Sequence, residues 1–402
     1  MPVLRSSRNL VTTLFIANPR LKARSMKKIL ALASLLLASQ HAAAQSQVNV
    51  ICSVQAEWCN MIGTVYARTT GTKINVALKG SGEALAQLIA EKDNPKTDIW
   101  FGGTGDPHLQ AAEQGLSMEY KSPSLAQLQP WAQQQAQQSG YKTVGIYSGP
   151  LGFGYNTELL AKKKLPVPKT WNDLLNPAFK GEIQVANPAS SGTAYTMVAT
   201  LVQLMGEEPA FEYMKKLHKN ISQYTRSGTG PIKAAARGET TVSISFVHDA
   251  PGEKLSGFPV ESITPTDGTG AEIGSMSIIK GARNMDAAKK FYEWALTPAA
   301  QEMAAAAKQF QVPSNRAAKV DPNVPDFKKI KFINYDYAKY GASAERKRLI
   351  AKWEREVNSL PREGRRAREL QQSRPGRPAL ARCGPAGLPA AALVCHPGHR
   401  VV

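Results

Sequence analysis

The sequence predicts a two-lobed α/β protein, each lobe a mostly parallel sheet flanked by helices, with a ligand cleft between the lobes. Three observations carry this expectation. Strand and helix patterns alternate from residue 48 onward, the alternation starts afresh after residue 168, and two extended segments lie between the halves as crossings. With 402 residues, the chain is long enough to bury a large core.

The first alternation opens with VNVICS (48–53) as a buried strand, a helix from Glu57 to Thr69, and the strand KINVAL (73–78). A Gly80-Ser81-Gly82 turn leads into a helix over 83–92, then into TDIWFGG (97–103), a strand ending in glycines. Sheets wound in this way bind ligands beyond the carboxyl ends of their strands. TVGIYSGPLGFGYN (143–156) is extended and interrupted at Gly149-Pro150, the pattern of a chain leaving one lobe for the other. In the second lobe WNDLLNPAF (171–179), the strand GEIQVAN (181–187), a long helix after Thr193 and the strand TVSISFV (241–247) repeat the alternation. Glu272-Ile273-Gly274 and SMSII (275–279) form the return crossing, followed by helices over 286–296 and 298–308. Residues 45–148 are thus expected to begin lobe 1 and 149–270 to form lobe 2. Residues 271–360 are expected to supply the return crossing, the completion of lobe 1 and the terminal helices.

MKKILALASLLLASQHAAAQ (26–45) has a Lys27-Lys28 head, a Leu/Ala-rich centre too short to span a bilayer, and small residues before Gln45. It is a secretory signal peptide (26–44) with cleavage expected after Ala44, which places the mature protein in the periplasm. Residues 1–25 are expected to be a mis-annotated extension, because such signals normally begin at the initiator. From Pro361 the composition turns to Arg, Pro, Gly and Ala without periodicity, a disordered or artefactual tail over 361–402.

The formal net charge of +19 raises nucleic acid as a partner, but its distribution argues against that. Residues 1–44 hold seven Lys/Arg and no acid, and residues 361–402 hold eight Arg against two Glu, which leaves +6 for residues 45–360. No basic stripe with interleaved aromatics is present there, so nucleic acid is not an expected partner. Cys52 and Cys59 are the two cysteines of this central region, and export to an oxidising compartment favours a disulfide between them. Cys383 and Cys395 fall in the tail.

Four short loops share one character: Gly80-Ser81-Gly82, Gly102-Gly103-Thr104-Gly105, Ser190-Ser191-Gly192-Thr193 and Ser227-Gly228-Thr229-Gly230. Glycine lets backbone N–H groups turn toward a guest, the hydroxyls add donors, and a helix start adds partial positive charge. A single Ser-Gly before a helix is ordinarily just an N-cap. Four of them indicate an anion site. A second cluster, His248-Asp249 at the end of a strand together with Glu272 at the return crossing, offers acceptors for hydroxyls or an amine. The implied guest is bipolar. Catalytic readings lack a Gly-x-Ser-x-Gly elbow, a His-Glu-x-x-His pair and a Gly-Lys-Ser/Thr loop, and a His–Asp pair without a placed nucleophile is no triad. No enzyme activity is expected; a secreted phosphate-ester hydrolase is the enzymatic alternative.

ICSVQAEWC (51–59), DIWFGGTGDP (98–107), TWNDLLNPAFKGEIQVANPASSGTAY (170–195) and FYEWALTPAAQE (291–302) together resemble the type II periplasmic binding proteins of ferric-iron, hexose-phosphate and phosphonate importers, over Val48 to Pro361. The resemblance implies the type II two-lobed fold, the inner-membrane permease of an ABC importer as partner, and a small anionic ligand bound by a monomer without a cofactor. Ferric-iron members of that family place adjacent tyrosines where this chain has Phe246-Val247-His248-Asp249. The hexose-phosphate branch is more similar, carrying His-Asp here and a Glu near the return crossing. By that likeness Asp249 and Glu272 hold sugar hydroxyls and His248 lies near the ring or the anion. Ser81, Gly82, Thr104, Ser190, Ser191, Gly192, Thr193, Ser227, Gly228 and Thr229 of the four loops then hold the phosphate, and Ser53 is a further candidate ligand-binding residue. No metal ligand set is expected; ferric-iron binding is the alternative.

Overall fold

The computed structural model describes residues 46–361. The expectations for the extension 1–25, the signal peptide, the tail and Cys383 and Cys395 lie outside the described residues. In chain order the first elements are β1 (Gln47–Cys52), α1 (Ala56–Thr70), β2 (Lys73–Leu78), α2 (Ser81–Ala90), β3 (Ile99–Phe101), α3 (Gly105–Glu113) and α4 (Pro130–Gln138). The long β4 (Val144–Asn156) and α5 (Thr157–Lys163) lead to β5 (Ile183–Ala186), α6 (Gly192–Met205), α7 (Glu207–His218), β6 (Ile221–Thr225), α8 (Gly230–Ala236) and β7 (Val242–Phe246). After α9 (Ala250–Lys254) and β8 (Val260–Ile263) come β9 (Ala271–Ile278), α10 (Met285–Ala295), α11 (Pro298–Ala306), β10 (Val312–Pro313), α12 (Tyr337–Tyr340) and α13 (Ser343–Trp353). None of the described helices is long and apolar enough to cross a membrane.

The strands run in the order β2-β1-β3-β9-β4-β7-β5-β6, with β8 and β10 also pairing β4. Pairings of β1 with β2 and β3, and of β5 with β6 and β7, are parallel, as expected. The sheet is mixed, since at its centre β3–β9, β9–β4 and β4–β7 are antiparallel. The reason is the crossing itself: the chain leaves the first lobe on β4 and returns on β9, and two passes in opposite senses lying side by side must pair antiparallel.

β4 belongs to both lobes. Its Val144–Pro150 half pairs β9, and its Leu151–Asn156 half pairs β7 and β8. The change of partner comes directly after Gly149-Pro150. Val144, Ile146 and Tyr147 accordingly join one apolar core with Trp58, Phe101 and Phe291, whereas Leu151 and Phe153 join a second with Trp171, Tyr195 and Phe211. Tyr340, Leu349 and Trp353 from α12 and α13 close that second core. WNDLLNPAF forms two short 3-10 turns, Asn172–Leu175 and Pro177–Phe179, rather than a helix, since Pro177 has no N–H to continue one.

Cys52 and Cys59 are joined by a disulfide with Cα atoms 6.2 Å apart. It ties the end of β1 to the first turns of α1, so the connecting residues Ser53-Val54-Gln55 are held at the carboxyl edge of the sheet. Trp58, Cys59, Ile62 and Tyr66 supply the buried stripe of α1, and Gly71 ends it in the left-handed region at φ 73°.

Candidate functional site

All four glycine-hydroxyl loops open helices. Gly80 caps α2, Thr104 caps α3, Ser191 caps α6 and Thr229 caps α8. Their N-termini converge from both lobes on one open cleft. Glycine is required here by close approach. A Cβ on Gly192 would collide with Thr104 Oγ1, one on Gly228 with Thr193 Oγ1, and one on Gly82 with the carbonyl of Ala189. Across the seam the Gly82 N–H donates to Ser190 O at 3.2 Å, and Arg226 Nε donates to Glu83 Oε1 at 3.0 Å. Within the first lobe the Thr104 N–H donates to Ser81 Oγ at 3.1 Å and Trp100 Nε1 to Ser53 Oγ at 2.9 Å. Thr104 Oγ1 is buried and makes no hydrogen bond.

The other end of the cleft is built on the crossing strands. Glu272, near the start of β9, lies opposite Gly149 of β4. His248 and Asp249 sit in the short turn after β7. His248 Nε2 is 3.6 Å from Glu272 Oε1 and 3.7 Å from Asp249 Oδ1, and the ring stacks on Phe246 at 5.4 Å. His248 and Glu272 are 2% and 4% exposed, so neither charge is relieved by solvent. Burial therefore drives each group toward its neutral form. The His248 imidazole is pressed down to about 3, and the Asp249 carboxyl is pushed up to about 7 against the opposing hydrogen bond from Gln55 Nε2 at 3.2 Å. Burial, reinforced by the charges of Asp249 and Asp106, holds Glu272 well above the carboxylate range. A guest that donates hydrogen bonds favours the ionised carboxylates and relieves this cost.

Of the residues expected from sequence, Ser53, Ser81, Thr104, Thr193, Thr229, His248, Asp249 and Glu272 line the cleft together. Gly82, Ser190, Ser191, Gly192, Ser227 and Gly228 do not line it. Gly82 and Ser190 meet each other across the seam, with Ser190 Oγ donating to Arg226 O at 2.9 Å, while Ser227 Oγ contacts Thr229 Oγ1 at 3.0 Å. Ser191 caps α6, and Gly192 and Gly228 leave room for the threonines that do face in. Sequence reasoning missed Val54, Gln55, Tyr147, Phe246, Gln309 and Gln311 as lining residues and did not single out Gly103. Gln309 Oε1 and Gln311 Oε1 are buried without a hydrogen bond, and Tyr147 Oη accepts from the Gly103 N–H at 2.9 Å. The Gln-rich segment before β10 carries no local signal of a site. Only its pairing with β4 brings it to the cleft.

A polar cleft between two lobes, with N–H and hydroxyl donors at one end and buried acceptors at the other, suits reversible capture of a small bipolar molecule. Residues 94–340 match the family described as bacterial extracellular solute-binding protein. An uncharacterized protein of Haemophilus influenzae is 46% identical over 328 residues, which covers 81% of this chain and 95% of that one. The periplasmic binding protein AfuA from Actinobacillus pleuropneumoniae, with exogenous fructose-6-phosphate bound, aligns at a TM-score of 0.77 and 46% identity over 79% of this chain and 100% of its own. The periplasmic binding protein P5PA aligns at 0.75 and 44% identity over 78% of this chain and 99% of its own.

Proposed function

The chain belongs to the bacterial extracellular solute-binding protein family, and on that premise we propose that it captures a small organophosphate in the periplasm and delivers it to the permease of an ABC importer. The observation that carries the reading is the polarity of the cleft. Thr104, Thr193 and Thr229 stand at helix starts at one end, and Asp249 and Glu272 stand at the other. A phosphoryl group at the threonine end accepts hydrogen bonds from neutral donors and helix N-termini. Hydroxyls of an attached sugar donate to Asp249 and Glu272. A phosphonate bearing an amino group satisfies the same polarity. The fructose-6-phosphate bound by AfuA supports the sugar-phosphate version.

The family and the aligned structures are those of binding proteins, and on that footing the protein binds its guest without turning it over. Ferric iron fits the cleft poorly. Phe246 and Val247 stand where phenolates would be needed, which leaves Tyr147 as the tyrosine of the cleft. Titration calorimetry with fructose 6-phosphate, 2-aminoethylphosphonate and ferric citrate, with phosphate release followed in parallel, tests the reading. Tight binding of an organophosphate without release of phosphate is expected. A response to ferric salt alone, or sustained hydrolysis, overturns it.

A further inference from the structure

We propose that Arg346 is a positioning residue for the anionic end of the cleft, holding the Pro188–Ala189 turn in place and lending a buried charge that favours guests with a doubly charged phosphoryl group. The proposal rests on the organophosphate reading above. Arg346 lies on α13, does not line the cleft, and is 8% exposed. Its Nη2 donates to Pro188 O at 3.2 Å and Ala189 O at 3.4 Å, and its guanidinium lies 5.1 Å over the ring of Tyr195 in α6. Tyr195 is itself anchored, its hydroxyl donating to Tyr340 O at 2.7 Å.

The turn that Arg346 holds runs straight into Ser190-Ser191-Gly192-Thr193 and the start of α6. The Ala189 carbonyl is also the atom against which Gly82 of the opposite lobe packs. The height of this turn therefore sets both the aim of Thr193 into the cleft and the approach of α2. A desolvated guanidinium also acts through a lower effective dielectric than a surface cation such as Arg226, whose side chain is 86% exposed. Its charge is only loosely matched. Asp106, in the first turn of α3, is the carboxylate that bears on it, yet Asp106 Oδ1 and Arg346 Nε each lack a hydrogen-bond partner, while Asp106 Oδ2 accepts from Tyr335 Oη at 3.3 Å. A positive charge left partly uncompensated beside a helix N-terminus rewards a second negative charge on the guest.

Calorimetry at pH 8 with fructose 6-phosphate, a dianion, and fructose 6-sulfate, a monoanion of the same sugar, tests this on the full mature chain. Arg346→Gln is expected to lower phosphate affinity about tenfold and to narrow the preference for phosphate over sulfate. Arg346→Lys, which keeps the charge and loses the planar guanidinium that lies over Tyr195 while reaching the two carbonyls, is expected to weaken both esters severalfold and keep the preference. Asp106→Asn is expected to strengthen phosphate binding severalfold, a gain that a damaged fold does not produce, and the gain should vanish when combined with Arg346→Gln. Should Arg346→Gln fail to fold, affinity unchanged by Arg346→Lys or unraised by Asp106→Asn overturns the proposal. A wild type that binds neither ester refutes the organophosphate reading itself, whereas wild-type binding with an unaltered preference in Arg346→Gln overturns the role of Arg346 alone.

Discussion

Gly149 leaves the space that the His248 ring occupies: a Cβ at position 149 would overlap His248 Nδ1. Gly149 is also the partner of Glu272 across β4 and β9. A bare backbone on the crossing strand thus allows an imidazole from the second lobe to lie against a carboxylate carried on the return strand. His248 Nδ1 has no hydrogen-bond partner of its own, so steric room rather than a hydrogen bond holds this side of the ring.

Gly149→Ala should therefore displace His248 without unfolding either lobe. A stability loss of about 1–3 kcal/mol, as for other overpacked positions, is expected together with a fall in affinity for fructose 6-phosphate of about tenfold. Thermal melts and calorimetry on the same preparation measure both. Unchanged binding would mean that the ring can move aside without cost to the guest.

The buried carboxylates predict an unusual pH dependence of the ligand-free protein. Asp249 keeps its proton up to about 7, whereas in the unfolded chain it ionises near an ordinary value of about 3.9. Between these values the native state binds more protons, so the stability this group contributes is full at low pH and is lost as pH rises through about 7. His248, pressed to about 3, works the other way: the unfolded chain takes up its proton first, so its contribution is lost as pH falls below about 6.5. Asp249→Asn keeps the oxygen that accepts from Gln55, abolishes the first effect and removes the charge that helps to raise Glu272. Relative to wild type, the variant should gain stability from about pH 4 to about pH 7 in denaturant titrations and level off above that. A difference that is flat with pH would contradict the burial argument.

Substitutions at the two ends of the cleft should separate the two parts of the guest. Asp249→Ala or Glu272→Ala removes a charge-assisted acceptor for a hydroxyl, each costing about 1.5–3 kcal/mol, so affinity should fall roughly tenfold to a hundredfold. Thr193→Val removes a hydroxyl at the start of α6 and should weaken phosphorylated sugars while leaving any binding of the neutral sugar as it was. Equal losses for both ligands in Thr193→Val would show that the anion does not sit there.

Reduction of the Cys52–Cys59 disulfide, or replacement of both residues by Ser, should cost about 2–3 kcal/mol, the chain-entropy value for so short a loop. Because the bond frames Ser53-Val54-Gln55, affinity should fall as well, through the Gln55 contact to Asp249. Intact mass with and without reductant establishes the bond, and a reduced protein with unaltered melting and binding would remove it from the account.

The amino-acid sequence by itself determined the features encoded within a few residues of one another. The Gly80 and Ser190 loops open α2 and α6 as expected, and the Gly102 and Ser227 loops open α3 and α8 as well, because capping and glycine signals act within a single turn. Cys52 and Cys59, separated by 7 positions between flanking elements, pair as expected. The interruption at Gly149-Pro150 marked the change of partner along β4. Tertiary structure alone decided which of these groups meet and which merely make room. The hydrogen bond from Gln55 to Asp249 joins residues 194 apart, and Gln309 and Gln311 reach the cleft only through the pairing of β10 with β4. Within the same loops, Thr104, Thr193 and Thr229 face inward while Gly192 and Gly228 stand behind them. Such assignments depend on strand register and on how closely two backbones approach, which follow from packing between the lobes and leave no period or motif in the chain.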